Sequence, residues 1–182
     1  MSSDSLTPFS YVMLVLVGDD GAGAHDIRRM AERGAKLYWA AAPSQYYAEP
    51  KRLAKLGYLE AAKEPGRTNE RTRYTLTEKG RDALREWLGT PMPFPRIQNE
   101  AAVRLLVADL APPDVLRSSL EALERELDVQ QQRLAEAEDV AGGLGERERW
   151  LMINHRLSRR MLDAQRAWIA EVRDALGVGR GR

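Results

Sequence analysis

Cysteine is absent from the chain, which excludes structural disulfides, thiolate-bound zinc and thiol catalysis. Histidine is almost absent: His25 and His155 stand far apart, without a second histidine at metal-ligand spacing. No G-x-S-x-G elbow, H-E-x-x-H pair, G-x-G-x-x-G turn or Walker loop occurs. The glycines between Gly18 and Gly23 flank Asp19 and Asp20, which would repel a phosphate, so they are read as an interhelix turn. These gaps remove the common routes to chemistry, and neither catalysis nor a cofactor or metal is expected. Long apolar runs are missing too. The segment YVMLVLV is too short to cross a bilayer, and MSSDSLTPFS has no basic leader region, so a cytoplasmic chain without membrane attachment is expected.

Charge of one sign is also lacking: the formal net charge is +1 over 182 residues. The distribution is more informative than the total. From Ser44 to Arg73 seven Lys and Arg face four Glu, whereas residues 91–182 balance fourteen Arg against fifteen acids. A local basic stripe can hold phosphates on a nearly neutral molecule.

The remaining pattern is mostly helical. Thr7-Pro8 reads as a cap followed by proline at the first helical position, opening an apolar helix over FSYVMLVLV. AHDIRRMAERG gives a second helix, with Ile27 and Met30 inward and Gly34 near its end. Its His25 suits a helix N-terminus or a backbone contact to nucleic acid. PSQYYAEPKRLAKLGYLEA gives a third, with Ser44 as cap, Leu53 and Leu56 inward, and Gly57 as the left-handed stop. Of Tyr46 and Tyr47, one is expected in the core and one at the surface. LEAAKEP and RTRYTLT alternate like two half-buried strands, with Thr72, Tyr74 and Leu76 on one face. Pro65-Gly66 and Asn69 lie between them. Thr77 caps a further helix with a stripe of Leu84, Trp87 and Leu88.

A short helix offering hydroxyls, an amide and cations, followed by a basic β-hairpin, is the surface a winged helix-turn-helix presents to DNA. The expected contacts to double-stranded DNA are Ser44, Gln45, Tyr46, Tyr47, Lys51, Arg52 and Lys55 on the helix. Lys63, Arg67, Arg71 and Arg73 are expected on the wing. Gln45 suits bidentate pairing with adenine.

Prolines 91, 93 and 95 interrupt helix formation and mark a linker. Beyond it Asn99 caps EAAVRLLVADL, which Pro112-Pro113 ends. Leu116, Leu120, Leu123, Leu127, Gln130 and Leu134 then recur at heptad spacing, and Gly142-Gly143 breaks the helix. Trp150, Ile153, Leu157, Met161, Ala164, Trp168 and Val172 form the stripe of the last helix, with His155 beside Arg156 expected in solvent. One antiparallel hairpin buries one seam, and a second copy of the chain buries what remains. Dimerisation is thus assigned to Leu116, Leu120, Leu123, Leu127, Leu134, Leu157, Met161, Trp168 and Val172. Trp39, Trp150 and Trp168 are either packing residues or the lining of an apolar cavity for a flat, small aromatic effector.

The element order, with Leu6-Thr7-Pro8, His25-Asp26-Ile27, Ser44-Gln45-Tyr46-Tyr47, Arg52-Leu53, Leu56-Gly57 and Tyr74-Thr75-Leu76-Thr77-Glu78-Lys79-Gly80, resembles the PadR family of transcriptional regulators. The long C-terminal part is similar to its subgroup with an extended dimerisation domain. The resemblance implies a homodimeric repressor that leaves its operator when a small, often aromatic, effector binds. The expected fold is mainly α with a small β-hairpin wing. A winged helix-turn-helix domain over 5–89 is followed by a linker over 90–97 and a coiled-coil-like dimerisation domain over 98–177. Pro50 stands where family members often have leucine, and Ala48 where they often have proline. The third helix is therefore expected either to kink at Pro50 or to become regular only near Glu49. The alternative function is a winged helix used only as a protein-interaction module.

Overall fold

The structure, a computed structural model, describes residues 5–33, 38–39, 41–65, 70–141 and 146–177. Two compact units divide the chain, Met1–Pro93 and Phe94–Arg182. Among the described residues no helix is long and apolar enough to cross a membrane.

In the first unit α1 spans Pro8–Val17. Thr7 Oγ1 accepts from the Ser10 amide at 3.2 Å while Ser10 Oγ accepts from the Thr7 amide at 2.9 Å, a reciprocal capping box. Helix α2 (Ala24–Arg33) and α3 (Gln45–Lys55) pack with α1 around Phe9, Met13, Leu14, Ile27, Ala31, Tyr46 and Leu53. Strands β2 (Leu59–Glu64) and β3 (Arg71–Leu76) form the expected hairpin, with Tyr74 and Leu76 turned into that core.

Four sequence expectations are corrected in this unit. The stretch read as a turn ends in a strand, β1 (Ala22–Gly23), which pairs antiparallel with β3 and gives the sheet order β1-β3-β2. Two residues are too few to show any periodicity. Gly21 admits the chain to this edge: its φ is +72°, and a Cβ there would stand 2.6 Å from the Tyr74 carbonyl oxygen. Met30 is exposed, and Ala31 takes the inward place one turn after Ile27. Helix α4 (Glu78–Leu88) leaves Trp87 and Leu88 exposed. It approaches the core through its first turn, where Gly80 lies against the Tyr58 carbonyl, and Trp87 instead stacks on Tyr11 at 4.9 Å. Finally, Ser44 makes no side-chain cap at α3.

Pro50 sits inside α3, which already begins at Gln45, so the later start near Glu49 is excluded. Proline lacks the donor for the fourth preceding carbonyl. The ring is buried, and that burial offsets part of the loss. The helix stops as expected. Gly57 takes φ +78°, its amide donates to the Ala54 carbonyl, and the Tyr58 amide donates to that of Leu53, both at 3.0 Å. That is a Schellman closure.

The second unit opens with α5 (Glu100–Leu105), capped by Asn99 Oδ1 accepting from the Ala102 amide at 3.1 Å. A 3-10 turn, Ala108–Leu110, leads to α6 (Pro113–Ala141) and α7 (Glu146–Ala175). These two helices form an antiparallel hairpin. Its seam takes Leu120, Leu127, Leu134 and Ala137 from α6, and His155, Ser158, Leu162, Ile169 and Val172 from α7. Arg166 reaches Asp128 at 2.6 Å and Arg173 reaches Glu124 at 2.6 Å across the hairpin. Of the stripe read from the sequence on α7, only Val172 enters this seam, with Leu120, Leu127 and Leu134 of α6; these four are packed inside the hairpin, which corrects their assignment to dimerisation. His155, expected in solvent, is 3% exposed, because two polar residues at seam positions hid the heptad from a search for apolar side chains.

Candidate nucleic-acid interface

The orientation of α3 is fixed from within by a small polar cluster. Ser10 Oγ donates to Glu49 Oε1 at 2.6 Å, and Arg52 donates to Glu49 Oε1 at 2.7 Å and Oε2 at 3.0 Å. Arg52 also donates to Ser10 Oγ at 2.9 Å. Burial pushes the Glu49 carboxyl up, but the bonds from Arg52 and Ser10 and the Arg52 charge outweigh it and hold the pKa below the usual value. Ser10 thus closes the α1 capping box and tethers α3 at once.

This arrangement divides the residues expected at DNA. Tyr46 is 5% exposed and meets Phe9 edge-on at 5.5 Å, so it belongs to the core rather than to a binding surface. Burial, helped by the Glu32 charge, raises its hydroxyl pKa. Arg52 is half-buried and held by Glu49 and Ser10, so a phosphate contact from it would compete with these internal bonds. Ser44, Tyr47, Lys51 and Lys55 are exposed. At helical spacing they share one face of α3. Among the described residues, neither lysine forms an ion pair. Gln45 is exposed, and its Oε1 accepts from the Ala42 amide at 3.0 Å. Bidentate pairing with a base would require that bond to open.

Each described wing cation meets an acid. Lys63 lies 3.0 Å from Glu70, Arg71 lies 3.3 Å from Glu64 and 3.9 Å from Asp26, and Arg73 lies 3.7 Å from Glu64. Arg73 also donates to the Asp20 carbonyl, fastening the hairpin to the turn before β1. Surface pairs of this kind are worth ~0–1 kcal/mol, so a phosphate can exchange for the carboxylate at small cost. Arg67 lies outside the described residues.

A cleft of about 310 Å³ joins the two halves of this surface. It is walled by Gly23 of β1, by Ala24, His25 and Asp26 at the start of α2, by Lys51 of α3, and by Arg71, Thr72 and Tyr74 of β3. Three cationic or protonatable side chains from three elements thus converge beside a helix N-terminus. No spacing in the sequence brings His25, Lys51 and Arg71 together; β1–β3 pairing sets the start of α2 beside β3, and the packing of α3 on α2 adds Lys51.

The tryptophans do not form one site. Trp39 is half-buried and stacks on Phe9 at 6.5 Å, within the first unit. Trp150 and Trp168 lie eighteen residues apart on α7, ~27 Å along one helix, and do not meet within one chain. Trp168 lines a cavity of about 300 Å³ with Leu105, Leu116, Leu120, Leu123 and Val172, and Glu100 and Arg104 pair at its edge, 2.5 Å apart. Among the described residues no cluster of three His, Asp or Glu could hold a metal ion.

No protein-family model matches the chain, and no curated protein matches it. Solved structures do. PadR of Bacillus subtilis in complex with operator DNA superposes with a TM-score of 0.76 at 17% identity, over 93% of this chain and 99% of that one. The same protein in complex with p-coumaric acid gives 0.67 at 16% identity, over 95% and 99%. The PadR-like transcriptional regulator BC1756 from Bacillus cereus gives 0.76 at 15% identity, over 92% and 97%. The Vibrio cholerae virulence activator AphA gives 0.63 at 23% identity, over 92% and 95%. The fold is that of PadR and PadR-like transcriptional regulators, a winged helix followed by a C-terminal helical domain.

Proposed function

We propose that the chain is a DNA-binding transcriptional regulator, acting as a homodimeric repressor on an inverted-repeat operator. The observation that carries the reading is the exposed face of α3. Ser44, Tyr47, Lys51 and Lys55 stand free of internal ion pairs there, while the orientation of the helix is locked behind them by Glu49, Arg52 and Ser10. A rigid helix with exposed donors, beside a hairpin whose described cations pair with surface carboxylates, suits a major groove and its flanking phosphates. Gln45 and Tyr47 are assigned to base edges. Lys51, Lys55, Lys63, Arg67, Arg71 and Arg73 are assigned to the backbone or minor groove. The Bacillus subtilis neighbour solved in complex with operator DNA supports DNA as the partner.

Dimerisation belongs to the second unit. With its α6 leucines used inside the hairpin, α7 still exposes Trp150, Ile153, Leu157 and Met161, a continuous apolar strip of the kind that marks an interface. The effector is a planar aromatic molecule, and the cavity beside Trp168 is its place in this reading; the neighbour solved with p-coumaric acid supports the ligand class.

A mobility-shift titration of the intact chain on the DNA upstream of its own gene, repeated at several salt concentrations, tests the proposal. Specific retardation that weakens steeply with salt is expected, from an inverted repeat with half-sites ~34 Å apart. Ending the chain after Gly89 removes the hairpin, and avidity should fall by ~10² to 10⁴. Absence of any sequence-specific, salt-sensitive shift would leave the winged helix as a protein-interaction module.

A further inference from the structure

The uncovered stripe of α7 has an internal symmetry that sets how a second copy fits it. Trp150 is 61% exposed, Leu157 48%, Ile153 39% and Met161 36%. With Ala164 and Trp168 they fall within an arc of about 80° at 100° per residue, and the hairpin seam is centred roughly a third of a turn round the helix. The stripe reads almost the same in both directions. The pairs Trp150 with Trp168, Ile153 with Ala164, and Leu157 with Met161 all centre on Arg159 or within half a residue of it. A two-fold axis at that point lays one stripe antiparallel on its copy, so that every apolar side chain faces another. An isologous contact requires this self-complementarity.

The ends of the stripe differ in shape. At one end Trp150 projects into solvent. At the other, Trp168 forms a wall of the half-open cavity between α5, α6 and α7, lined by Leu105, Leu116, Leu120, Leu123 and Val172. The antiparallel register brings the protruding indole of one copy to the opening in the other. Trp150 has the most area to gain by moving there, since an indole can bury ~150–250 Å².

We infer that two copies pair through α7 about an axis at Arg159, with Trp150 of each copy seated in the other's α5–α6–α7 cavity beside Trp168. The inference rests on the homodimer reading and adds the face, the register and the residue that completes the cavity. An aromatic ligand entering that cavity has to displace the indole, which ties ligand binding to the interface.

The absence of cysteine allows a direct test in the full-length chain. Two differently tagged copies, Trp150→Cys and Trp168→Cys, are co-expressed and mildly oxidised. A second pair, Ile153→Cys with Ala164→Cys, repeats the test with smaller changes. Each mixed pair should give a covalent heterodimer, while Trp150→Cys or Trp168→Cys alone should not, because identical positions stand ~27 Å apart and a disulfide needs Cα atoms within ~7 Å. Cross-linking of either of those single variants to itself would overturn the register. Sedimentation as a dimer without cross-linking in either mixed pair would overturn this inference and leave the homodimer standing. Sedimentation of the unsubstituted chain as a monomer would remove both.

Discussion

Lys51 and Arg52 are adjacent cations whose fates the structure separates, and replacing each by alanine should do opposite things. The Arg52 side chain is 29% exposed and its partner Glu49 14% exposed, with contacts at 2.7 and 3.0 Å and a further one to Ser10 at 2.9 Å. Hydrogen bonds to charged groups contribute ~1.5–3 kcal/mol when well shielded, and partial exposure lowers that. Arg52→Ala should therefore cost about 1–3 kcal/mol. For a unit of this size each kcal/mol lowers the melting temperature by ~4–8 °C. Lys51 has no ion pair to lose, so Lys51→Ala should leave the melting temperature within a degree or two, the ~0.5 kcal/mol scale of surface substitutions. On DNA the order reverses. Lys51→Ala should reduce the slope of log affinity against log salt by about one on every sequence, while Arg52→Ala, measured well below its melting temperature, should keep the parent slope. Calorimetry and a salt-dependent mobility shift on both variants decide it. A shallower slope for Arg52→Ala with an unchanged melting temperature would refute the division between a tethering and a contacting cation.

Gly80→Ala should destabilise the first unit by ~1–3 kcal/mol, since the new Cβ would overlap the Tyr58 carbonyl and force a backbone shift; thermal unfolding reads this. His155 should make the hairpin acid-sensitive. Burial lowers its pKa, and the nearby Arg159 charge adds to this against the opposing pull of Glu138. A histidine depressed in the folded state stabilises fully above its unfolded pKa, ~6.5, and less as pH falls towards the folded value. His155→Leu should flatten that loss between pH 7.5 and 5 in unfolding titrations of the full chain. Gln45→Ala should relax preference at one base pair by ~1–3 kcal/mol, seen by competition with single-substituted operators; unchanged specificity would mean the Oε1 bond to Ala42 persists on DNA.

The parts of the fold legible in the sequence were those with local causes. Thr7, Asn99 and Thr77 cap helices because a hydroxyl or amide oxygen next to a free amide acts within one turn, and Gly57 stops α3 for an equally local reason. Pairings across the chain were not legible. Nothing near Ala22 announces that Tyr74 will pair with it, and nothing in the composition of α3 shows that Glu49 will claim Arg52. Arg52 looked like a phosphate contact because a cation on a recognition helix usually is one. Its tether to Glu49 is completed by Ser10, thirty-nine residues before Glu49. The Trp150 to Trp168 stripe was legible as an apolar face, but the seam beside it was not. Apolarity identifies a face to be covered and does not say by what, and the hairpin chose a neighbouring face that tolerates His155 and Ser158.

That choice has a physical logic. Were the most apolar face of α7 used inside the hairpin, the remaining surface would be too polar to hold a second copy. With polar seam positions inside, the hairpin instead relies on bridges such as Arg166–Asp128 and Arg173–Glu124 to fix its register. The apolar strip of Trp150, Ile153, Leu157 and Met161 then remains exposed for the association proposed above. The head allocates differently: Phe9, Tyr46 and Tyr74 are buried in one core, and the face of α3 left outside carries the hydroxyls of Ser44 and Tyr47 and two lysines. One helix hairpin that is sticky outside and one helix-turn-helix that is polar outside are the division expected when one unit joins two copies and the other meets a polyanion.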